Sequence, residues 1–279
     1  MNQLSGEKFQ LVLINANKIK LHEECDDDRF KRLIQRFRNE KVLYNPLIVG
    51  KYKEDFILID GANRFEALSR IGCKIILCQL VDYKSNKVDL KSWNHFVYGI
   101  RFDEVENFLK KNNFNFSKSN VNELTKSGRY SENLYRLTVL DKDGKSLMVS
   151  FNKKIKNVLY GIGLLIKYYA GKYSYDRINS DTNLSKIKEI SSENGLLFLF
   201  PRFKKKHIVM ISNFNDKLPA GITRHIIPNR VLHLKYEISL LKSDNDLKQR
   251  NKDLQKIVQQ KIDSKKVRLY REPLLIFDE

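Results

Sequence analysis

The pattern of apolar and polar positions is sharpest between Asp55 and Gly72. Phe56-Ile57-Leu58-Ile59 is a continuous apolar run, Asp60-Gly61 breaks it, and Phe65, Leu68 and Ile71 follow at helical spacing. That order predicts a buried strand, a tight turn and a helix in immediate succession, with Gly72 closing the helix at the C′ position. Upstream, Phe9–Ile14 reads as a strand, and Phe30, Leu33, Ile34 and Phe37 form the stripe of an amphipathic helix. Asp26, Asp27 and Asp28 stand where that helix start favours negative charge. Leu47-Ile48-Val49, entered through Pro46, pairs as a hairpin with the strand before Asp60, and Ile75–Val81 adds a further strand. These elements make a compact α+β unit ending near Tyr83.

Beyond it, Ser92-Trp93-Asn94-His95 reads as a polar-aromatic link. Val105, Phe108 and Leu109 mark a helix. Leu134–Leu140 and Ser146–Phe151 flank a Gly-containing loop and read as a hairpin. A core helix spans about Ile155 to Tyr169, and Tyr173 to Asn183 is loop-like. Leu196–Phe200 is a buried strand ended by Pro201, and Arg230–Tyr236 another strand. Asp244 to Lys261 is a charged helix, and the chain closes on strands at Val267–Tyr270 and Leu274–Phe277.

Composition narrows the class. The 279 residues carry 42% apolar side chains, those of a globular protein with a core. Lys and Arg number 52 against 33 Asp and Glu, so the net charge is +19 and anionic partners are favoured: nucleic acid, nucleotide phosphates or membrane surfaces. A Lys-rich composition gives such a charge without binding, and the basic residues are spread along the chain. Cys25, Cys73 and Cys78 show no metal-like pairing and fit reduced thiols in a cytoplasmic protein. No apolar run is long enough for a membrane span.

Two stretches can carry chemistry. At Gly61 to Arg64 the new helix exposes free N–H groups and its positive dipole end, a place for phosphate. Asp60 at the same turn holds a metal ion, orients a nucleophile, or simply caps the helix. The second stretch, Leu218–Arg230, sets Thr223-Arg224-His225 among apolar neighbours, prolines and Gly221. It is either a structural loop or an anion clamp in which the Arg224 fork takes a carboxylate.

Leu21-His22-Glu23, Asn45-Pro46-Leu47-Ile48-Val49 and Asp60-Gly61-Ala62-Asn63-Arg64-Phe65, in that order, resemble the ParB/sulfiredoxin-like superfamily. Ser92-Trp93-Asn94-His95, Phe200–Lys205 and Leu218–His225, with Tyr270-Arg271-Glu272-Pro273 at the end, extend the similarity to its free L-serine kinases. Within these it is nearest the kinase-regulators of staphyloferrin B siderophore clusters. The resemblance implies an α+β chain with a ParB/sulfiredoxin-like nucleotide-phosphate domain at 1–90. A mixed α/β domain at 91–279 would carry the serine-carboxylate site and complete the active-site cleft. It implies transfer of phosphate from ATP or ADP, with Mg²⁺, to free L-serine, giving O-phospho-L-serine for siderophore precursors.

By the same resemblance Glu23 is the catalytic glutamate and Asp60 the essential aspartate and metal ligand. Gly61, Ala62, Asn63 and Arg64 are the phosphate cradle, Trp93 walls the serine pocket, and Thr223, Arg224 and His225 take the serine carboxylate. The adjacent Glu24 is the rival carboxylate by residue type alone. Family members commonly carry histidine at Asn63, and a histidine is expected at Asn94 too. Two alternatives stand beside the kinase: a DNA-binding regulator of ParB type, favoured by the +19 charge, and a weakened serine or nucleotide sensor, suggested by Asn63. A homodimer through the charged C-terminal helix is the oligomer the sequence allows.

Overall fold

The computed structural model describes residues 9–120, 134–180, 194–243 and 246–270. They fall into two compact units. The first takes the chain up to Leu21, from Cys25 to Val88, and from Ile227 onward; the second takes His22–Glu24 and Asp89–Ile226. The first unit is therefore wider than the 1–90 span read from the sequence.

The first unit is built on a five-stranded sheet. Its strands are β1 (Gln10–Asn15), β2 (Ile19–Lys20), β4 (Leu47–Tyr52), β5 (Asp55–Asp60) and β6 (Ile75–Val81), in the order β1-β6-β4-β5-β2. β4 and β5 form the expected hairpin, while β4–β6 and β2–β5 are parallel. β3 (Val42–Leu43) pairs with β14 (Tyr236–Glu237) in a separate ribbon. Helices α1 (Asp27–Glu40) and α2 (Ala62–Arg70) pack against each other, and Phe37, Ala67 and Leu68 join the core with Leu47, Ile75 and Ile76. Cys73 and Cys78 are buried there, and burial pushes the Cys73 thiol up to about 11.

Helix α6 (Leu247–Asp263) explains why the C-terminal residues belong to this unit. Its Leu254 and Val258 enter the same core. Its Asn251 amide accepts from the Leu13 N–H at 2.8 Å and donates to the Leu13 carbonyl, and Gln255 donates to the Leu11 carbonyl. β1 is an edge strand, so these amides satisfy backbone groups that no further strand pairs.

The second unit has a seven-stranded antiparallel sheet. Its strands are β7 (Asp89–Tyr98), β8 (Asn115–Asn120), β9 (Arg136–Leu140), β10 (Lys145–Ser150), β11 (Tyr175–Asn179), β12 (Gly195–Leu199) and β13 (Thr223–Ile226). The order is β11-β7-β12-β9-β10-β8, with β13 added on β7. Helices α3 (Phe102–Lys111), α4 (Ile155–Ala170) and α5 (Lys205–Ser212) complete it. Val158, Leu159, Ile162 and Leu165 bury the inward face of α4, as the periodicity predicts.

Several elements depart from the sequence reading. Ser92–His95 is no link but the middle of β7, because each polar side chain finds a buried partner. Ser92 Oγ donates to the Pro201 carbonyl at 2.9 Å, Asn94 Oδ1 accepts from the Phe200 N–H at 3.1 Å, and His95 Nδ1 lies 2.6 Å from the Tyr169 hydroxyl. The loop at Tyr173–Asn183 contains β11, an edge strand that tolerates polar residues. The strand expected at Arg230–Tyr236 is largely irregular. Asn229, His233 and Lys235 have φ of 52°, 53° and 56°, which no strand ladder accommodates. Val267–Tyr270 is not a strand, and Leu274–Phe277 lies outside the described residues.

Candidate active site

The turn that leads from β5 into α2 is built for close approach. Gly61 is the helix N-cap with φ +105°, and no side chain caps the helix. A Cβ there would lie 3.0 Å from Leu47 Cγ and 3.1 Å from an Arg64 nitrogen, at a φ that strains any L side chain, so glycine is favoured. The Gly61 carbonyl accepts from the Phe65 N–H at 2.8 Å. The first-turn N–H groups of Ala62, Asn63 and Arg64 precede that bond and suit an anion.

Asp60, at the end of β5, takes two guanidinium groups on one oxygen. Arg64 donates to Oδ2 at 2.8 Å and Arg230 at 3.0 Å. Burial pushes this carboxyl upward, but the two arginines outweigh it and hold its pKa below the ordinary 3.8. Two cations against one carboxylate leave the cluster net positive, which suits phosphate. A divalent cation fits only together with phosphates, and Asp60 Oδ1 is the oxygen left for it among the described residues. Those residues contain no group of three His, Cys, Asp or Glu that could hold a metal.

Asn63 is partly committed to structure. Its Oδ1 accepts from the Asp26 N–H at 2.8 Å, and Cys25 Sγ donates to the Ala62 carbonyl at 3.4 Å. Asp26 in turn caps α1 through the Arg29 N–H. The Asn63 amide thus ties the start of α2 to the start of α1.

In the second unit the organising group is the Glu23 carboxylate. Oε2 accepts from the Gly221 N–H at 3.0 Å, and Oε1 accepts from both the N–H and the hydroxyl of Thr223 at 2.6 Å. The segment is fixed by a parallel bridge to Leu218, with bonds from Leu218 N–H to the His22 carbonyl and from Glu24 N–H to the Leu218 carbonyl. A carboxylate only accepts, so the Thr223 proton points to Glu23. Thr223 Oγ must then accept from His22 Nε2–H, 2.9 Å away. His22 is buried and packs edge-on against His225, with ring centroids 5.5 Å apart. Glu24 differs: burial raises its pKa, Lys167 offsets this and Asp216 adds to it. Of the two glutamates, Glu23 has the oriented carboxylate.

β13 separates the three residues read as one clamp. Thr223 and His225 are buried on one side, and Arg224 alternates to the other. Its guanidinium lies 4.7 Å over the Trp93 ring, on the face that also carries its register partner Lys91. Gly221, with φ +77°, is covered by Arg177. A Cβ there would displace that guanidinium, and the left-handed φ itself favours glycine where the N–H meets Glu23.

Sequence reasoning missed Arg230, Gly221 and Arg177. Arg230 and Gly221 lie in the stretch flagged for its prolines and glycine, but spacing alone does not show that one reaches Asp60 and the other Glu23.

No family model matches the chain. The ATP-dependent L-serine kinase of Staphylothermus marinus is 25% identical over 227 residues, 78% of this chain and 85% of that protein. The ATP-dependent L-serine kinase SbnI of Staphylococcus aureus is 22% identical over 242 residues, 86% of this chain and 87% of that protein. The structure of SbnI with a C-terminal truncation superposes with a TM-score of 0.70 at 21% identity, covering 94% of this chain and 100% of that one. The chain is thus similar to free L-serine kinases in sequence and to SbnI in fold. Its α+β architecture is the one that SbnI has. These two relatives align along most of this chain, so the likeness extends beyond the Asp60 turn. No helix among the described residues is long and apolar enough to cross a membrane.

Proposed function

We propose that the chain is a nucleotide-dependent kinase that converts free L-serine to O-phospho-L-serine, with the product feeding siderophore precursor synthesis. The observation that carries this reading is the Glu23 carboxylate fixed by three donors from Gly221 and Thr223. Phosphoryl transfer needs alignment, charge neutralisation and a group to receive the acceptor proton. Glu23 is that group. The serine hydroxyl oxygen forms a bond to the terminal phosphorus, the bond from that phosphorus to the leaving nucleotide breaks, and the hydroxyl proton passes to Glu23.

The remaining residues bind and orient. The Gly61–Arg64 turn holds the nucleotide phosphates through its N–H groups and the charge of Arg64. Arg224, stacked on Trp93, takes the serine carboxylate, and Thr223 with His225 shapes the Glu23 side. Mg²⁺ supplies charge neutralisation on the phosphates, and Asp60 Oδ1 would hold it with phosphate and water oxygens completing its shell.

The test is phosphoserine formation from serine and Mg²⁺ with ATP and, separately, ADP. The names of the relatives favour ATP. Glu23→Ala should lower kcat by about 10²–10⁴ with the circular dichroism spectrum unchanged. A Glu23→Ala enzyme with normal turnover would refute the role of Glu23. The +19 charge supports a second reading, DNA binding with nucleotide as a switch. It predicts a duplex shift that weakens steeply with salt.

A further inference from the structure

Arg64 and Arg230 share one oxygen of Asp60 but differ in what else they hold. A guanidinium carries five N–H donors. Arg64 commits NH1 to the carbonyls of Asn45 and Pro46, at 3.0 and 3.1 Å, and NH2 to Asp60. Its side chain is 21% exposed. Arg230 is bonded only to Asp60 among the described residues, through NH1, and its side chain is 38% exposed. Arg64 is fastened to the protein; Arg230 has donors to spare.

The position of Arg230 is itself built. Gln79 on β6 is buried, at 2% exposure, and grips the main chain on both sides of Arg230. Its Nε2 donates to the Asn229 carbonyl and its Oε1 accepts from the Val231 N–H, both at 2.9 Å. Asn229 stands in the left-handed region, turning the chain at that point. Two residues beyond Val231, the His233 N–H donates to Asn45 Oδ1 at 2.9 Å, so the residue whose carbonyl holds Arg64 also anchors this loop. Arg64 alone would neutralise Asp60. A second guanidinium, clamped by a buried amide, adds a cation that Asp60 does not need.

We propose that Arg230 is a phosphate-binding residue for the terminal phosphates of the nucleotide, positioned by Gln79, and that Arg64 chiefly holds Asp60 and the turn. The inference rests on reading the Gly61–Arg64 turn as the nucleotide site, and its test needs no turnover. ATP, ADP and AMP are titrated calorimetrically into wild type, Arg230→Gln, Arg230→Lys and Gln79→Asn. Arg230→Gln should weaken ATP binding at least tenfold and AMP binding far less, with Arg230→Lys restoring part of the loss. Gln79→Asn, too short to span both main-chain groups, should give an intermediate loss of ATP affinity with AMP affinity little changed, beside a lowered thermal midpoint.

Where the chain turns over, KM for serine stays at the wild-type value in Arg230→Gln while KM for the nucleotide rises. Unchanged ATP affinity in Arg230→Gln, or an equal loss for ATP and AMP, overturns the role of Arg230. Unchanged ATP affinity in Gln79→Asn overturns the positioning by Gln79. A wild-type chain that binds no nucleotide overturns both this inference and the reading beneath it. ATP binding that depends on Arg230 without phosphoserine formation supports the inference while refuting the kinase.

Discussion

Thr223→Val perturbs the Glu23 carboxylate with little change in side-chain shape. The hydroxyl has two roles: it donates to Glu23 Oε1 at 2.6 Å and accepts from His22 Nε2 at 2.9 Å. A hydrogen bond to a charged group contributes about 1.5–3 kcal/mol, and taking the acceptor from a buried donor costs about 1–3 kcal/mol. The two share one atom and do not add fully, so the variant should lose about 2–5 kcal/mol. That is a large part of a typical folding free energy of about 5–15 kcal/mol.

The assay is urea unfolding followed by circular dichroism, beside Thr223→Ser, which keeps the hydroxyl and should stay close to wild type. Glu23 retains the N–H groups of Gly221 and Thr223, so kcat in Thr223→Val should fall by less than in Glu23→Ala. A Thr223→Val protein with the wild-type urea midpoint would refute the hydrogen-bond relay from His22 to Glu23.

Two further outcomes are expected. His95 lies buried among Tyr169, Tyr175 and Phe200, and burial, with Arg177 adding to it, lowers its pKa from 6.5 to about 3. As pH falls below about 6.5 the unfolded chain takes up this proton and the folded chain does not, so stability present above that pH is lost on the way to about 3. The loss between pH 7.5 and 5 is about 2 kcal/mol for this one group; urea unfolding at both pH values should show it in wild type and not in His95→Gln, and equal losses in the two proteins refute it. Gly61→Ala places a Cβ at φ +105° against Leu47 and Arg64, which should cost about 1–2 kcal/mol and weaken ATP binding; calorimetry with unchanged affinity would separate the turn from the nucleotide.

The Asp60 turn was legible because its signals are local. Four apolar residues, Asp-Gly and a helical stripe lie within eighteen positions, and each element has the structure that its period predicts. Glu23 was legible only through its resemblance to a family motif, because its donors lie 198 and 200 residues away. Arg230 was read as the start of a strand, since Leu232, Leu234 and Tyr236 alternate with His233 and Lys235. What overrides that pattern is left-handed backbone at Asn229, His233 and Lys235, held by side chains from distant segments, and composition does not encode it. The interior of β7 was missed for a related reason. Ser92, Asn94 and His95 look like loop residues until Pro201, Phe200 and Tyr169 supply their partners.

The distance in sequence between Glu23 and its donors also sets a schedule. Synthesis runs from the N-terminus at about 5–20 residues per second. Glu23 is made 198 residues before Gly221 and 200 before Thr223. On the ribosome Glu23 waits some ten seconds or more for the groups that orient it, and Asp60 waits in the same way for Arg230. Both carboxylates therefore draw partners from the same late stretch, Gly221 to Arg230, so neither cluster is assembled until that stretch has been made.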